Sequence, residues 1–352
     1  GNETASERAM MRRLIVDAVC YWAEEYHVDG FRFDLMGVHD IGTMNEVRRA
    51  LDRIDPSILL YGEGWTAARS PLDESLRAVK RAGPRLPRIA VFDDDLRDAL
   101  RGGWGDSTEP GFVSGKSGLD RNVRFGVVGA TAHFQVGFDS SGDSPVAYGG
   151  HSAETINYVS CHDDLSLVDK LRASAPEGMT EEELVRFDKL AQTVVLTAQG
   201  IPSLFAGEEM LRTKGGVSNS HDSPDRVNRI DWSFKADHKD VFDYYRGLIA
   251  LRRTHPAFRL ATAAEIERHL RFLDTGDTHV VAYMLVDHAG DDPWREILVV
   301  YNGARAEKRV RIPPGDWHAV CLDGRIASEA LAVFSGDSVP VPASSALIAY
   351  LP

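Results

Sequence analysis

Cysteine is scarce in this sequence of 352 residues, and the three that occur, Cys20, Cys161 and Cys321, are far apart. An odd number of widely separated cysteines excludes a disulfide framework and makes a thiolate zinc site unexpected. Long hydrophobic runs are also missing, so no apolar segment of the sequence is expected to span a bilayer. A glycine-rich phosphate loop and a serine nucleophile elbow are absent too, which argues against a nucleotide-dependent enzyme and an α/β-hydrolase.

Positive charge is in deficit, because 40 Lys and Arg stand against 53 Asp and Glu, giving a net charge of -13. Nucleic acids and anionic membrane surfaces repel such a chain, so neither is an expected partner. A composition of 43% hydrophobic and 26% charged residues is typical of a globular protein. The length of 352 residues favours one large and one small domain. An initial methionine and a signal peptide pattern are lacking, so we expect any targeting segment upstream of Gly1. The compartment stays open between cytoplasm and secretion.

Helical and strand patterns alternate in the first two thirds of the sequence. A capping box at residues 4–7 predicts the start of a helix that ends near Tyr26. Further helices are predicted at 41–54, 69–82, 180–199 and 241–253, with a short one ending near residue 100. Strands are predicted at 30–34, 57–61, 88–92, 155–160 and 202–207. Such a series favours a parallel sheet, either open or closed into a barrel.

Near residue 260 the helical spacing gives way to short alternating runs separated by Gly, Asp and Pro. The runs cover residues 268–273, 279–286, 297–301, 308–312, 317–321 and 346–351. This pattern predicts a small antiparallel β-sandwich. We therefore place the domain boundary between residues 1–258 and 259–352.

Charged residues follow three of the predicted parallel strands at their C-terminal ends. Asp34, Glu63 and the pair His162-Asp163 all occupy such positions. In an eight-stranded barrel the chemistry takes place at this end of the strands. Only about five strands are predicted, however, so the sheet is either open or lacks its first strands.

The best candidate for chemistry is the run of residues 30–34, in which Phe31 and Phe33 alternate with Arg32 and Asp34. Residues i and i+2 lie on one side of a strand, so Arg32 and Asp34 project together. An arginine beside a carboxylate favours the ionised form and orients it, as a carboxylate nucleophile requires. An ordinary Arg–Asp pair at a strand end is the alternative.

A second carboxyl group, Glu63, is flanked by Tyr61 and Trp65, which could provide the apolar shielding that raises a carboxyl pKa. Two carboxyl groups beside a scissile bond are the machinery of glycoside hydrolysis. Asp163 is a third carboxylate for stabilising positive charge in the transition state, and Trp65 offers a flat face for a sugar ring. The alternatives for His162-Asp163 are a helix cap and a metal site. Glu208-Glu209 could also be catalytic, but the sequence indicates no partner for them.

These residues resemble known signature regions. The runs 29–34, 61–65 and 159–163 look like three signatures of the α-amylase family of glycoside hydrolases, in the same order and with similar spacing. The resemblance narrows to the type I pullulanases through residues 1–7, 33–37, 212–215, 219–220 and 223–225. It extends over nearly the whole chain and implies the C-terminal part of a (β/α)8 TIM barrel, about strands 4 to 8, followed by the β-sandwich.

The resemblance also implies roles for individual residues. Asp34 would be the nucleophile, Glu63 the general acid and then the base, and Asp163 the transition-state stabiliser. Arg32 would orient Asp34, and His162 would bind the sugar where cleavage occurs. Further substrate contacts are implied for four residues, Met36, Trp65, Asn219 and Asp225.

The implied enzyme is a bacterial, retaining, starch-debranching glycoside hydrolase that cleaves α-1,6 branch linkages in pullulan, amylopectin and limit dextrins. No cofactor is required, and calcium stays open because no ligand cluster demands it. The upstream half of the barrel, with one more signature region, is expected to be a partner, and without it exposed sheet edges predict an insoluble or inactive piece. The alternatives are an isoamylase or α-1,4-acting amylase of the same family, and an inactive carbohydrate-binding remnant.

Overall fold

The computed structural model describes residues 4–67, 69–137 and 147–352. Residues 1–3 of the 1–7 resemblance lie outside the described residues, as does part of the segment 102–150. The structure contains a parallel sheet with helices around it and a separate antiparallel sheet. This confirms an α/β fold with a second β region.

The helices and strands are numbered in chain order. The helices are α1 (Ala9–Tyr26), α2 (Ile41–Ile54), α3 (Asp94–Arg101), α4 (Asp120–Val127), α5 (Leu167–Ala173), α6 (Glu181–Thr197), α7 (Asp225–Asn228), α8 (Phe234–Asp237), α9 (Lys239–Thr254) and α10 (Ala263–His269). The strands are β1 (Gly30–Phe33), β2 (Leu59–Gly62), β3 (Ala90–Phe92), β4 (Thr155–Asn157), β5 (Ile201–Pro202), β6 (Leu270–Phe272), β7 (Val280–Leu285), β8 (Glu296–Asn302), β9 (Lys308–Leu322), β10 (Arg325–Ile326), β11 (Ala332–Val341) and β12 (Ser345–Leu351).

The parallel sheet contains β1 to β5 side by side in chain order. Because all five strands run the same way, their C-terminal ends meet at one edge of the sheet, where Asp34, Glu63 and His162 follow β1, β2 and β4. This arrangement is the parallel sheet of neighbouring β/α units that the sequence predicted. The range of barrel strands to which it corresponds stays a prediction.

The predicted helix at residues 41–54 is confirmed as α2. Asp40 caps it by accepting a 2.9 Å hydrogen bond from the Thr43 N–H, and Met44, Val47 and Leu51 are fully buried on one face.

The capping box predicted at residues 4–7 is wrong, because α1 begins at Ala9 without a side-chain cap. The Ser6 hydroxyl instead donates to Asp40 at 2.8 Å, and the Ser6 N–H bonds to the Thr4 carbonyl. Ser6 therefore ties the entry of α1 to the start of α2, and the helix begins only after this turn.

The helix predicted at residues 69–82 is also wrong. This segment contains only 3₁₀ turns at Glu74–Leu76 and Lys80–Arg85. The Ala78 N–H bonds to the His39 carbonyl, and the Lys80 N–H bonds to the Gly64 carbonyl. At Ala78 and Lys80 the backbone therefore bonds to neighbouring loops, and the local bonds of the segment form only the two 3₁₀ turns. The fifth strand was predicted at 202–207, but β5 covers Ile201–Pro202 and overlaps the prediction only at Pro202. Helix α5, which Ser166 caps, was not predicted.

The antiparallel sheet has the order β10-β9-β12-β8-β7-β6, and β11 also pairs with β9. The long strand β9 joins the predicted runs 308–312 and 317–321. Strand β11 was not predicted, because Ser, Gly and Asp interrupt its apolar alternation. The strands are hydrogen-bonded into one connected antiparallel sheet, and the sandwich arrangement of this sheet stays a prediction. The β9–β11 hairpin folds over an apolar cluster that includes Trp317, Val339 and Leu347.

One hydrophobic core continues from the parallel sheet into the antiparallel sheet. Helix α6 contributes Phe187 and Val194 to this core. It also bonds to the antiparallel sheet, because the Thr197 hydroxyl lies 2.5 Å from that of Tyr301 and the Thr197 carbonyl accepts from Tyr283. The boundary at residue 258 stays a prediction, but the two parts share this core.

Several large apolar side chains remain exposed on α1 and β2. They are Met10, Leu14, Tyr21, Trp22, Tyr26 and Leu59. None of the described helices combines the length and the apolar composition that a bilayer crossing requires.

Candidate active site

The end of β1 and the end of β2 meet at Arg32. The Arg32 guanidinium donates to an Asp34 carboxylate oxygen at 2.8 Å and to Glu63 Oε1 at 2.5 Å. The parallel register pairs Arg32 with Tyr61, and the Glu63 N–H bonds to the Phe33 carbonyl at 3.0 Å. One arginine therefore bridges the two carboxyl groups that the sequence singled out as an acid–base pair. The structure excludes a simple two-residue Arg–Asp pair.

The surroundings of Arg32 are partly aromatic. Its guanidinium carbon lies 5.5 Å from the centre of the Phe92 ring on β3. A cation over an aromatic face is attracted by the ring, and the ring also limits where the guanidinium can move. Strand β3 thus supports the side chain that orients both carboxyl groups.

Glu63 and Asp34 lie in opposite environments. Glu63 is only 3% exposed, whereas the Asp34 side chain is 59% exposed. Burial raises the pKa of Glu63, and this effect outweighs the Leu35 N–H at 2.9 Å and the Arg32 guanidinium, which both lower it. The charges of Asp34 and Asp163 raise the pKa of Glu63 further. A buried carboxyl group with a raised pKa beside an exposed carboxylate is the combination that a general acid and a nucleophile require.

The turn after β1 delivers the Leu35 N–H to Glu63. Leu35 has a left-handed backbone with φ of 45°, which is uncommon for a leucine. Backbone strain of this kind persists where the surroundings enforce it. Here it aims a backbone donor at Glu63 Oε2.

His162 and Asp163 face Asp34 from the end of β4. His162 Nε2 lies 3.6 Å from Asp34 Oδ1 and 3.3 Å from Asp163 Oδ1. All three side chains are more than half exposed. The structure therefore brings together the five residues Arg32, Asp34, Glu63, His162 and Asp163, which come from three different strands.

The four remaining predicted residues are not among these five. Trp65 is partly exposed, and its carbonyl accepts from the Gly37 N–H at 3.1 Å. Met36 is fully buried against Gly62, so it supports the site from behind. Asn219 is exposed in the loop after β5, and Asp225 is exposed at the first position of α7. Sugar contacts for these four residues stay predictions.

Sequence reasoning missed the buried charges that hold the end of β4. The Arg101 guanidinium bonds to the Asp164 carboxylate at 2.7 Å, and the Lys214 ammonium bonds to the His162 carbonyl at 2.9 Å. Lys214 lies within the 212–215 run, but no spacing in the sequence indicates what its side chain contacts.

Glu208 has hydrogen-bond partners that the sequence did not indicate. It is 2% exposed and accepts hydrogen bonds from the Ser160 hydroxyl, the Gln192 amide at 3.0 Å and the Phe205 N–H at 3.1 Å. Burial raises the pKa of Glu208 to about 7. Ser160 lies two residues before His162 in the chain. The bond to Glu208 therefore helps to hold the segment that leads to the site.

A metal ion is chemically conceivable at the same place. One ligand atom each of Asp34, Glu63 and His162 lies within 4.8 Å of the others, the only such group found among the described residues. The Arg32 guanidinium already contacts both carboxyl groups, however, and so supplies the positive charge between them. The cluster is therefore explained without a cation.

Comparison with known proteins finds similarity to pullulanases over nearly the whole chain. The curated pullulanase of Bacillus subtilis is 38% identical over 313 residues, which cover 89% of this chain and 42% of the relative. The solved pullulanase of Bacillus acidopullulyticus aligns with a TM-score of 0.91 and 41% identity, covering 99% of this chain and 41% of that structure. This chain is a pullulanase homologue.

Two further similarities agree with this family. The profile of the pullulanase all-beta domain matches residues 266–325, which run from the end of α10 through β6 to β9 to the start of β10 in this homologue. A variant of the Paenibacillus barengoltzii pullulanase, complexed with maltotriose, aligns with a TM-score of 0.90 and 44% identity, covering all of this chain and 53% of that structure. The isoamylase of Flavobacterium is only 25% identical over 380 residues. The chain thus spans about two fifths of the length of the Bacillus subtilis and Arabidopsis thaliana pullulanases that it matches.

Proposed function

We propose that this pullulanase homologue provides the catalytic triad of a retaining glycoside hydrolase that cleaves α-1,6-glucosidic branch linkages. The observation that supports this most is the pair of carboxyl groups bridged by Arg32, one exposed and one buried with a raised pKa. One oxygen of Asp34 and one of Glu63 lie within 4.8 Å of each other. Carboxyl groups about 5 Å apart favour retention, because no room is left for a water between acid and nucleophile.

The steps follow from the positions of the three carboxyl groups. Asp34 attacks the anomeric carbon while protonated Glu63 donates its proton to the leaving oxygen, so the glycosidic bond breaks as the Asp34 ester forms. Glu63, now ionised, then removes a proton from water, which attacks the anomeric carbon and releases Asp34. Asp163 stabilises the positive charge that develops on the sugar in both steps, and His162 binds the same sugar.

The substrate class rests on the relatives. The matched solved structures include pullulanases complexed with maltotriose, with maltose, and with maltohexaose and α-cyclodextrin. We therefore infer an α-glucan substrate such as pullulan, amylopectin or a limit dextrin. We further propose that an upstream half of the same enzyme completes the cleft, because the relatives are more than twice as long as the aligned region.

Substitution of the nucleophile tests the proposal. Asp34→Asn in the complete enzyme should lower kcat for pullulan by about 10⁴-fold or more, because the glycosyl ester cannot form. Asp17→Asn is the matched control, since Asp17 is an exposed aspartate on α1 that also pairs with an arginine. Release of reducing ends is the measurement, and turnover retained by Asp34→Asn would remove the role we give Asp34.

Two other functions make different predictions. An isoamylase or α-1,4-acting amylase would prefer branched glycogen or amylose to pullulan, so comparing these substrates separates them. The 25% identity to an isoamylase makes this the weaker alternative. A carbohydrate-binding remnant would bind maltotriose and show no turnover in any combination.

A further inference from the structure

Asp163 lies in a segment whose backbone is held by a buried cation. The Lys214 ammonium donates to the carbonyl of His162 at 2.9 Å and to the carbonyl of Asp164 at 3.3 Å. These two carbonyls belong to the residues on either side of Asp163. A single ammonium therefore fixes the backbone from which the Asp163 carboxylate projects.

Lys214 is itself held in place. It is only 3% exposed, and its N–H donates to the Asp169 carboxylate at 2.7 Å. Its ammonium lies 5.2 Å from the centre of the Phe205 ring. Burying a cation costs free energy unless its hydrogen bonds are satisfied, and the two carbonyls on either side of Asp163 provide that satisfaction.

The segment it holds is not in a relaxed conformation. Asp164 has a left-handed backbone with φ of 61°, and Arg101 binds its carboxylate at 2.7 Å. A non-glycine residue adopts this conformation stably only where the surroundings enforce it. Arg101 fixes the side chain of Asp164, and Lys214 fixes its carbonyl.

We propose that Lys214 is a positioning residue, which sets the Asp163 carboxylate opposite Asp34 by binding the backbone carbonyls of His162 and Asp164. The proposal rests on the proposed function for its effect on turnover, but the anchoring itself can be measured without any activity. Because Asp163 acts in the transition state, losing its alignment lowers kcat and leaves substrate binding largely unchanged.

The first test uses Lys214→Met, which keeps the length of the side chain and removes the ammonium. Hydrogen–deuterium exchange of the complete enzyme should show peptides that span residues 162–165 and the first turn of α5, whose Lys170 N–H bonds to the Ser166 carbonyl, exchanging at least 10-fold faster, with the amides of β1 and β2 unchanged. Lys308→Met is the control, because Lys308 pairs with Asp277 in the antiparallel sheet, away from the site. Unchanged exchange at 162–165 in a folded Lys214→Met protein would overturn the anchoring.

The second test measures turnover of the complete enzyme. We expect Lys214→Met to lower kcat for pullulan about 100-fold with less than a 3-fold change in KM, since a displacement of about 1 Å at a reacting group costs this much. Unchanged kcat, or a loss confined to KM, would overturn the positioning role. If Lys214→Met does not fold, Lys214→Gln serves instead, with the same pattern expected. An inactive wild-type enzyme with fast exchange in the variant would refute the proposed function and support the anchoring.

Discussion

At the scale of single residues, the site depends on giving two carboxyl groups different environments. The side chains of Asp34 and Glu63 are 59% and 4% exposed, yet both bind the same guanidinium. Arg32 thus orients both groups without making them equivalent. The difference comes from burial, which favours the neutral acid at Glu63.

The first prediction concerns the pH dependence of turnover. Glu63 must be protonated to act as the acid, and its pKa is raised, so kcat should fall as the pH rises through this raised value. The pH profile of the complete enzyme should be bell-shaped. Glu63→Gln should lower kcat for pullulan by about 10³-fold and remove the basic limb. A basic limb that persists in Glu63→Gln would mean that another group is the acid.

The residues of the site differ in how far the sequence could predict them. Asp34, Glu63 and Asp163 were predictable because each follows a strand pattern, and parallel strands bring such residues together. Lys214 and Arg101 were not, because their partners are backbone carbonyls and a carboxylate brought close only by the folded loops. Met36 was predicted to contact sugar, and no local pattern indicated that its side chain would be buried.

At the scale of elements, the start of α2 is a point where three segments meet. Asp40 caps α2 and also accepts from Ser6 at 2.8 Å and from Arg12 at 3.0 Å on α1. Burial alone would raise the pKa of Asp40, but the hydrogen bonds from Thr43 and Ser6 outweigh it, and the pKa is lowered.

We expect Asp40→Ala to lower the free energy of unfolding by about 2–4 kcal/mol, the sum of a lost cap and stranded buried donors. Asp73→Ala, at an exposed cap of a 3₁₀ turn, should cost less than about 1 kcal/mol. Because the folded pKa of Asp40 is lowered, its contribution is present above the unfolded pKa of about 3.9 and is lost as the pH falls below it. Urea unfolding at pH 7 and pH 3 measures this, and an equal difference at both pH values would contradict it.

The turn between β1 and α2 packs directly on the loop that contains Glu63. A methyl group added at Gly37 would lie 2.5 Å from the backbone of Trp65, and the Gly37 N–H donates to the carbonyls of Glu63 and Trp65. Gly37→Ala should therefore lower the free energy of unfolding by about 1–3 kcal/mol and reduce kcat, because it moves Glu63. Gly105→Ala is the control, since a methyl group there meets no atom within 4 Å. Equal stabilities of the two variants would contradict this packing.

The elements with strong periodicity were predictable, and those stabilised by distant partners were not. Helix α2 has the bounds predicted from the sequence, because its cap and its apolar face both favour a helix over the same residues. The segment 69–82 has helical spacing, but the N–H groups of Ala78 and Lys80 bond to the His39 and Gly64 carbonyls. Strand β11 has little apolar alternation and forms because β9 offers a long edge with which to pair.

At the scale of the whole molecule, the two sheets share one core, but several large apolar side chains on α1 and β2 remain exposed. Helix α6 contributes apolar side chains to this core and bonds to Tyr283 and Tyr301 of the antiparallel sheet. In contrast, Trp22 and Tyr26 on α1 and Leu59 on β2 are about half exposed. An upstream half of the enzyme, as proposed, would cover such side chains.

The most direct test is hydrolysis of pullulan by this chain alone and by this chain mixed with a separately expressed upstream half. We predict that the mixture releases reducing ends, that the first product retains the anomeric configuration, and that the chain alone shows little or no turnover. Circular dichroism checks that both pieces are folded. If neither the pieces nor the mixture hydrolyses pullulan while both are folded, the proposed catalytic function is contradicted, and a carbohydrate-binding role becomes the better account.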